Sequence, residues 1–226
     1  MPLELRFTVP NKLYLRDPQD TEYGKRLLKA SVDLFAEIGF ESFTFKKLAV
    51  KMESSEVSIY RYFENKHLIL LYLYCWYWEW INYLIDVNTR NIQDANKKLK
   101  IAIHKIVFAS HEEMLTSYID EKALQFVLIN ESSKAYHIHD IDKENKLGFF
   151  VPFKRLVEKL ADTLLEVNPK FKFPRSLSTT IFEMIRNQQY YALHLPRLSD
   201  IKNSKKRLEE TENMIEYFLK RLLRTN

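Results

Sequence analysis

Thr44-Phe-Lys-Lys-Leu-Ala-Val-Lys-Met-Glu-Ser-Ser-Glu-Val-Ser-Ile-Tyr-Arg-Tyr-Phe-Glu-Asn-Lys66 carries two short helical periodicities from which the rest of the chain is read. Thr44 stands where an N-cap hydroxyl belongs, and Phe45, Leu48, Ala49 and Met52 follow at i, i+3, i+4 and i+7 as one apolar stripe. Ser54 and Ser55 offer a second cap, and from Glu56 to Phe63 the inward positions are Ile59 and Phe63, four apart. Two short helices joined by so tight a turn cross closely, so the first needs a small residue at the crossing, which Ala49 supplies. With Ile59 and Phe63 inward, Glu56, Val57, Ser58 and Arg61 are left on the other face, free to enter a major groove.

Upstream, Leu27, Ser31, Leu34, Phe35 and Ile38 form a helical stripe that ends at Gly39, a natural left-handed C′ residue. Pro2, Pro10 and Pro18 punctuate residues 1–21, which read as an extended arm. Downstream, a long aromatic helix begins near Lys66, and further helices are expected at about 95–117, 121–132, 146–167, 175–195 and 204–224. Breaks rich in Pro, Asn, Asp or Ser separate them at 133–144, 168–174 and 195–203. The expected fold is all-α: an arm (1–21), a three-helix helix-turn-helix domain (22–66) and a larger helical-bundle domain (67–226), with about nine helices in total.

Composition narrows the chemistry. Only Gly24, Gly39 and Gly148 occur, which disfavours turn-dense β folds and glycine-rich phosphate cradles. A single cysteine, Cys75, excludes an intrachain disulfide and a cysteine-based zinc cage, as expected of a reducing, cytoplasmic compartment. The start shows no basic stretch followed by an apolar one, so no secretory signal is expected. The run from Leu68 to Ile85 has nearly the length of a bilayer span, but Glu79 and Asn82 interrupt it, and a central buried helix explains it better.

The net charge of +5 and pI near 9.0 are compatible with a nucleic-acid partner. They do not concentrate it in the motif: residues 1–66 hold eleven Lys and Arg against ten Asp and Glu, a net of +1.

From Leu27 to Leu68 the chain resembles the TetR family of transcriptional regulators, through Leu34-Phe35, Gly39-Phe40, Thr44, Leu48-Ala49, Ile59-Tyr60, Tyr62-Phe63 and Lys66. The resemblance implies a homodimer that binds a palindromic double-stranded DNA operator, as a repressor responsive to a small ligand. It implies that Thr44, Tyr60, Tyr62 and Lys66 hold phosphates, while Lys46, Glu56, Val57, Ser58 and Arg61 face base edges. The chemistry is apt, since hydroxyls and amides at helix starts suit phosphates, an Arg fork suits guanine and a Val methyl suits thymine. Two departures stand out: the turn carries Glu53-Ser54 where the family has Gly-Val, and Val57 replaces a smaller residue. Positive φ at Glu53 would cost roughly 1 kcal/mol. A chain of this fold that has lost specific DNA binding is the alternative.

Other constellations read more plainly. Tyr72, Tyr74, Trp76, Tyr77, Trp78, Trp80 and Tyr83 read as helix-packing residues. The abundance of aromatics nevertheless allows an apolar effector cavity between that helix and residues 95–167. His137, His139, Asp140 and Asp142 do not fit a calcium loop, because Asn145 and Val151 fall where Gly and Glu are required, and His104 and His111 at i+7 cannot chelate one ion unaided. No metal, cofactor or enzymatic activity is expected, since no hydrolase, protease or nucleotide-binding signature occurs. Dimerisation is expected through about 175–195 and 204–223, where Ile181, Met184, Ile185, Leu208, Met214, Ile215, Phe218 and Leu222 form apolar stripes.

Overall fold

The computed structural model describes residues 5–109 and 117–223. Regular structure among the described residues is entirely helical: α1 (Glu22–Ser42), α2 (Phe45–Lys51), α3 (Glu56–Tyr60), α4 (Lys66–Thr89), α5 (Ala95–Phe108), α6 (Glu121–Glu131), α7 (Ser133–Tyr136), α8 (Ile141–Lys146), α9 (Val151–Val167), α10 (Pro174–His194) and α11 (Arg207–Leu222). Contacts group the chain into two compact units, residues 1–80 with 110–152, and residues 81–109 with 153–226.

In the first unit, α4 supplies the core. Tyr72, Trp76 and Trp80, four apart on one helical face, are fully buried, and the Trp76 and Trp80 rings lie 6.2 Å apart. The aromatic run is thus packing, and no helix among the described residues is long and apolar enough to cross a membrane. The Cys75 thiol donates to Phe149 O at 3.0 Å, and burial pushes its pKa up, so it stays protonated and inert.

The arm is not a free extension. Phe7, Val9 and Leu13 are buried, and Phe7 meets Trp76 edge to face at 5.1 Å. The Gln19 amide closes this loop, donating to Phe7 O at 2.9 Å while its oxygen accepts from Phe7 N at 3.2 Å and from the Tyr118 hydroxyl at 3.0 Å. Apolar residues scattered between prolines carry no periodicity, yet burying them stabilises the arm as any core does. Gly24, in the first turn of α1, makes the closest approach: a Cβ there would lie 2.2 Å from Pro18 O. Gly24→Ala is therefore expected to destabilise the protein by roughly 1–3 kcal/mol or more, through overpacking against backbone. A lowered urea midpoint checks this, and an unchanged one would mean that the arm is not seated on α1.

Several boundaries differ from those read in the sequence. The segment 133–144, expected as a break, holds α7 and the start of α8, each too short for periodicity to register. The helix expected from 146 starts at Val151, because Gly148 takes φ +86° and turns the chain. The last helix starts at Arg207 instead of 204. The helix from 95 ends at Phe108; most of its expected continuation to 117, including His111, lies outside the described residues.

The second unit is built from the end of α4 with α5 and most of α9 through α11. Leu99, Ile103, Ile181, Ile185, Ile215 and Leu219 are buried in it. Lys98–Glu166 (2.7 Å) and Lys159–Asp86 (2.6 Å) are ion pairs at its surface.

Candidate nucleic-acid interface

Local rules position α2 and α3. Thr44 Oγ1 accepts from Lys47 N at 3.2 Å and Ser55 Oγ from Ser58 N at 3.3 Å, so both expected caps are made. Leu48 and Ala49 are buried on α2, Met52 just after it, and Ile59 and Phe63 on and after α3. The Phe45 and Tyr60 rings, 4.7 Å apart, tie the start of α2 to the end of α3.

Between the helices the backbone forms a Schellman ending: Ser54 N donates to Ala49 O at 2.9 Å and Glu53 N to Val50 O at 3.1 Å. Glu53, at the C′ position, has φ +51°. Arg26 Nη2, donating to Met52 O at 3.3 Å, and Tyr23, whose hydroxyl lies 2.9 Å from Ser54 Oγ, brace the turn from α1. Glu53→Gly relieves roughly 1–2 kcal/mol of left-handed strain but raises the entropy of the unfolded chain, for a net gain of about 0.5–1 kcal/mol. A thermal scan reads this as a higher Tm, and a lower one would show that the Glu53 side chain does more than fill the turn.

The expected contact residues divide into two groups. Thr44, Lys46, Glu56, Val57, Tyr60 and Arg61 are exposed and Ser58 is half-buried; Val57 and Tyr60 keep 67% and 50% of their surface despite being large and apolar or aromatic. Neither Lys46 nor Arg61 is ion-paired to a described residue.

Tyr62 and Lys66 are placed otherwise. Tyr62 is 4% exposed, stacks on Tyr23 at 5.5 Å, and its hydroxyl lies 2.7 Å from Thr21 Oγ1. Its side chain fastens α1 to the end of α3. Lys66 Nζ donates to Phe40 O at 2.7 Å and Glu41 O at 3.1 Å and lies 4.5 Å from the Phe40 ring centroid. It therefore caps the last carbonyls of α1, and of its three ammonium protons one is left for a phosphate. Glu131 of α6 secures the same end, its Oε1 accepting from Phe40 N at 3.0 Å beside Gly39, whose φ of +71° interrupts α1. Lys134 hydrogen-bonds Glu41 there and holds its carboxyl below the usual range.

One cation was missed by sequence reasoning. Leu15 N donates to Tyr62 O at 2.8 Å, which lays the arm beside the end of α3, and the Arg16 guanidinium sits 5.6 Å from the Tyr62 ring centroid. Only its charge, within an arm of unreadable conformation, could have drawn attention to it.

Two clefts of the second unit bear on the expected ligand cavity. The one formed by α4, α5 and α9, about 480 Å³, is lined by Asp86, Arg90, Lys98, Arg155, Glu158 and Lys159 among others and is charged, not apolar. The other, about 410 Å³, is aliphatic and lies among α5, Val167 of α9 and α11.

Comparison with known proteins agrees with this geometry. Residues 27–73 match the family model of bacterial regulatory proteins, tetR family. Curated protein sequences give no match. Among solved structures, the fold is shared with a TetR-family transcriptional regulator from Syntrophomonas wolfei (TM-score 0.65, 19% identity, covering 90% of this chain and 96% of that one). It is also shared with the fatty acid degradation regulator FadR from Bacillus halodurans (TM-score 0.60, 18% identity, 88% and 93%). A third, from Mesorhizobium loti, is described as a TetR-family regulator (TM-score 0.54, 13% identity, 88% and 94%). Residues 27–73, with their helix-turn-helix, thus match the family model of bacterial regulatory proteins, tetR family, and the chain shares the fold of solved TetR-family transcriptional regulators.

Proposed function

We propose that the protein is a ligand-responsive repressor that binds a palindromic operator as a homodimer. The observation that carries this reading is the recognition face of α3 with the start of α2: Lys46, Val57, Tyr60 and Arg61 are exposed, although the same short helices bury every residue needed to hold them. Arg61 suits the O6 and N7 acceptors of a guanine and Val57 a thymine methyl; Thr44, Tyr60, Arg16 and the remaining Lys66 proton suit phosphates. A five-residue reading helix is too small to be specific alone, and two-fold pairing doubles it. Exposed Tyr217, Phe218 and Leu222 on α11 supply an apolar face for that pairing, with α10 beside it. A small effector bound in the helical body acts only by preferring one of two conformations of the dimer.

A second reading, in which the fold is kept and specific DNA binding lost, is favoured by one observation: Glu53 and Glu56 are both exposed at the reading face, and residues 42–66 carry only +2 (five Lys and Arg against three Glu). Selection from a pool of random duplexes separates the two. The repressor reading expects enrichment of a two-fold symmetric site whose half-sites are one helical turn or a multiple apart. No enrichment over the input pool would favour the second.

A further inference from the structure

The aliphatic cleft of the second unit has a floor and walls of Leu99, Ile103, Val167, Leu219 and Leu223. Its about 410 Å³ falls within the roughly 300–1,000 Å³ of small-molecule sites. Three charged groups share its lining. Glu216 is shared by Lys100 Nζ at 3.5 Å and Lys220 Nζ at 3.6 Å, both long contacts, with the two lysines 69% and 75% exposed. One carboxylate between two ammonium groups leaves a positive charge unmatched. Asn96, second residue of α5, also lines the cleft, so the positive end of that helix lies at the same place.

Position on α11 gives the cleft a second property. At 100° per residue, Glu216, Leu219, Lys220 and Leu223 share one face, whereas Met214, Phe218 and Leu222 share the roughly opposite one. Whatever fills the cleft presses on α11 from behind its exposed apolar stripe.

We propose that this cleft binds a soluble unbranched aliphatic carboxylate. Its chain lies along the five aliphatic side chains, and its carboxylate takes Lys100 and Lys220 in place of Glu216, which turns to solvent. Charge-assisted bonds to two lysines select the anion, and the aliphatic walls select the chain. This names a ligand class for the regulator reading above; binding itself does not depend on that reading.

Calorimetric titration of the full chain, without DNA, with sodium decanoate below its micelle-forming concentration tests the proposal. Saturation at one site per chain is expected, with decylamine and decanol at least about tenfold weaker, a difference of about one charge-assisted contact. Lys100→Gln with Lys220→Gln, both mostly exposed and held to Glu216 only by long contacts, should lower decanoate affinity by at least about tenfold with little change in Tm. Val167→Trp, which fills the cleft from a half-buried position, should abolish binding. Absence of saturation, equal binding of decylamine, unaltered affinity in either variant, or binding only to phosphatidylglycerol vesicles would each overturn the proposal. The lysine variant still enriches an operator from random duplexes if the regulator reading holds, so failure of one is distinguishable from failure of the other.

Discussion

Replacing Phe218 and Leu222 together by glutamate is expected to convert a dimer into a monomer at micromolar concentration and to weaken operator binding by roughly 100-fold or more. Both side chains are large, apolar and exposed on α11, at the edge of the stripe whose Ile215 and Leu219 are buried within the second unit. Charge introduced there leaves the fold of one chain intact but opposes burial against a second copy, since an unpaired carboxylate in an interface costs several kcal/mol. Loss of operator affinity follows because joining two reading heads makes the second contact intramolecular, which is worth roughly 10² to 10⁴ in affinity. Sedimentation velocity and operator isotherms on the same preparation check both parts. A variant that remains dimeric would place the interface elsewhere.

Arg61→Ala should cost on the order of 1–3 kcal/mol on the selected duplex, a loss of roughly 5- to 150-fold, and much less on a scrambled one. The guanidinium is exposed directly after α3 and has no ion-pair partner among the described residues, so its donors are uncommitted before DNA arrives. A bidentate contact to guanine exists only at the right base, which is why the loss is confined to the operator. Equal weakening of both duplexes would make Arg61 a phosphate clamp and would turn the reading face of α3 about its axis. Lys66→Ala serves as a contrast. Because Lys66 caps Phe40 O and Glu41 O, its removal should lower thermal stability as well as weaken both duplexes alike.

The local parts of the fold were legible because local chemistry determines them. Thr44 and Ser55 cap the helices where their hydroxyls suggest, Gly39 takes the positive φ that interrupts α1, and Ala49 is buried on α2. The unusual Glu53 does adopt the positive φ that its place in the turn requires. What failed to show was set by distant partners. Tyr62 matches the family motif, but its role comes from Thr21, 41 residues away, and that of Lys66 from carbonyls 25 and 26 residues away. No spacing rule reaches so far. The arm was unreadable for the same reason, its order coming from Trp76 and Tyr118. Each compact unit is assembled from two separate stretches of chain, an arrangement that leaves no composition shift along the sequence. The apolar cavity was expected between the aromatic helix and residues 95–167; among the described residues a charged cleft lies between α4, α5 and α9, and an aliphatic one lies at α11.

The salt dependence of binding to the selected duplex tests most directly whether the helix-turn-helix grips DNA. Arg16 and Lys66 offer two cationic phosphate contacts per protomer, four in the proposed dimer, so log K should fall with log salt concentration at a slope of roughly −4. Affinity for the selected duplex should exceed that for a scrambled one at every salt concentration, because the base contacts of Arg61 and Val57 add to the electrostatic part. A slope near zero, with the two duplexes bound equally, would contradict DNA reading by this face and leave the protein a helical ligand binder on a regulator's fold.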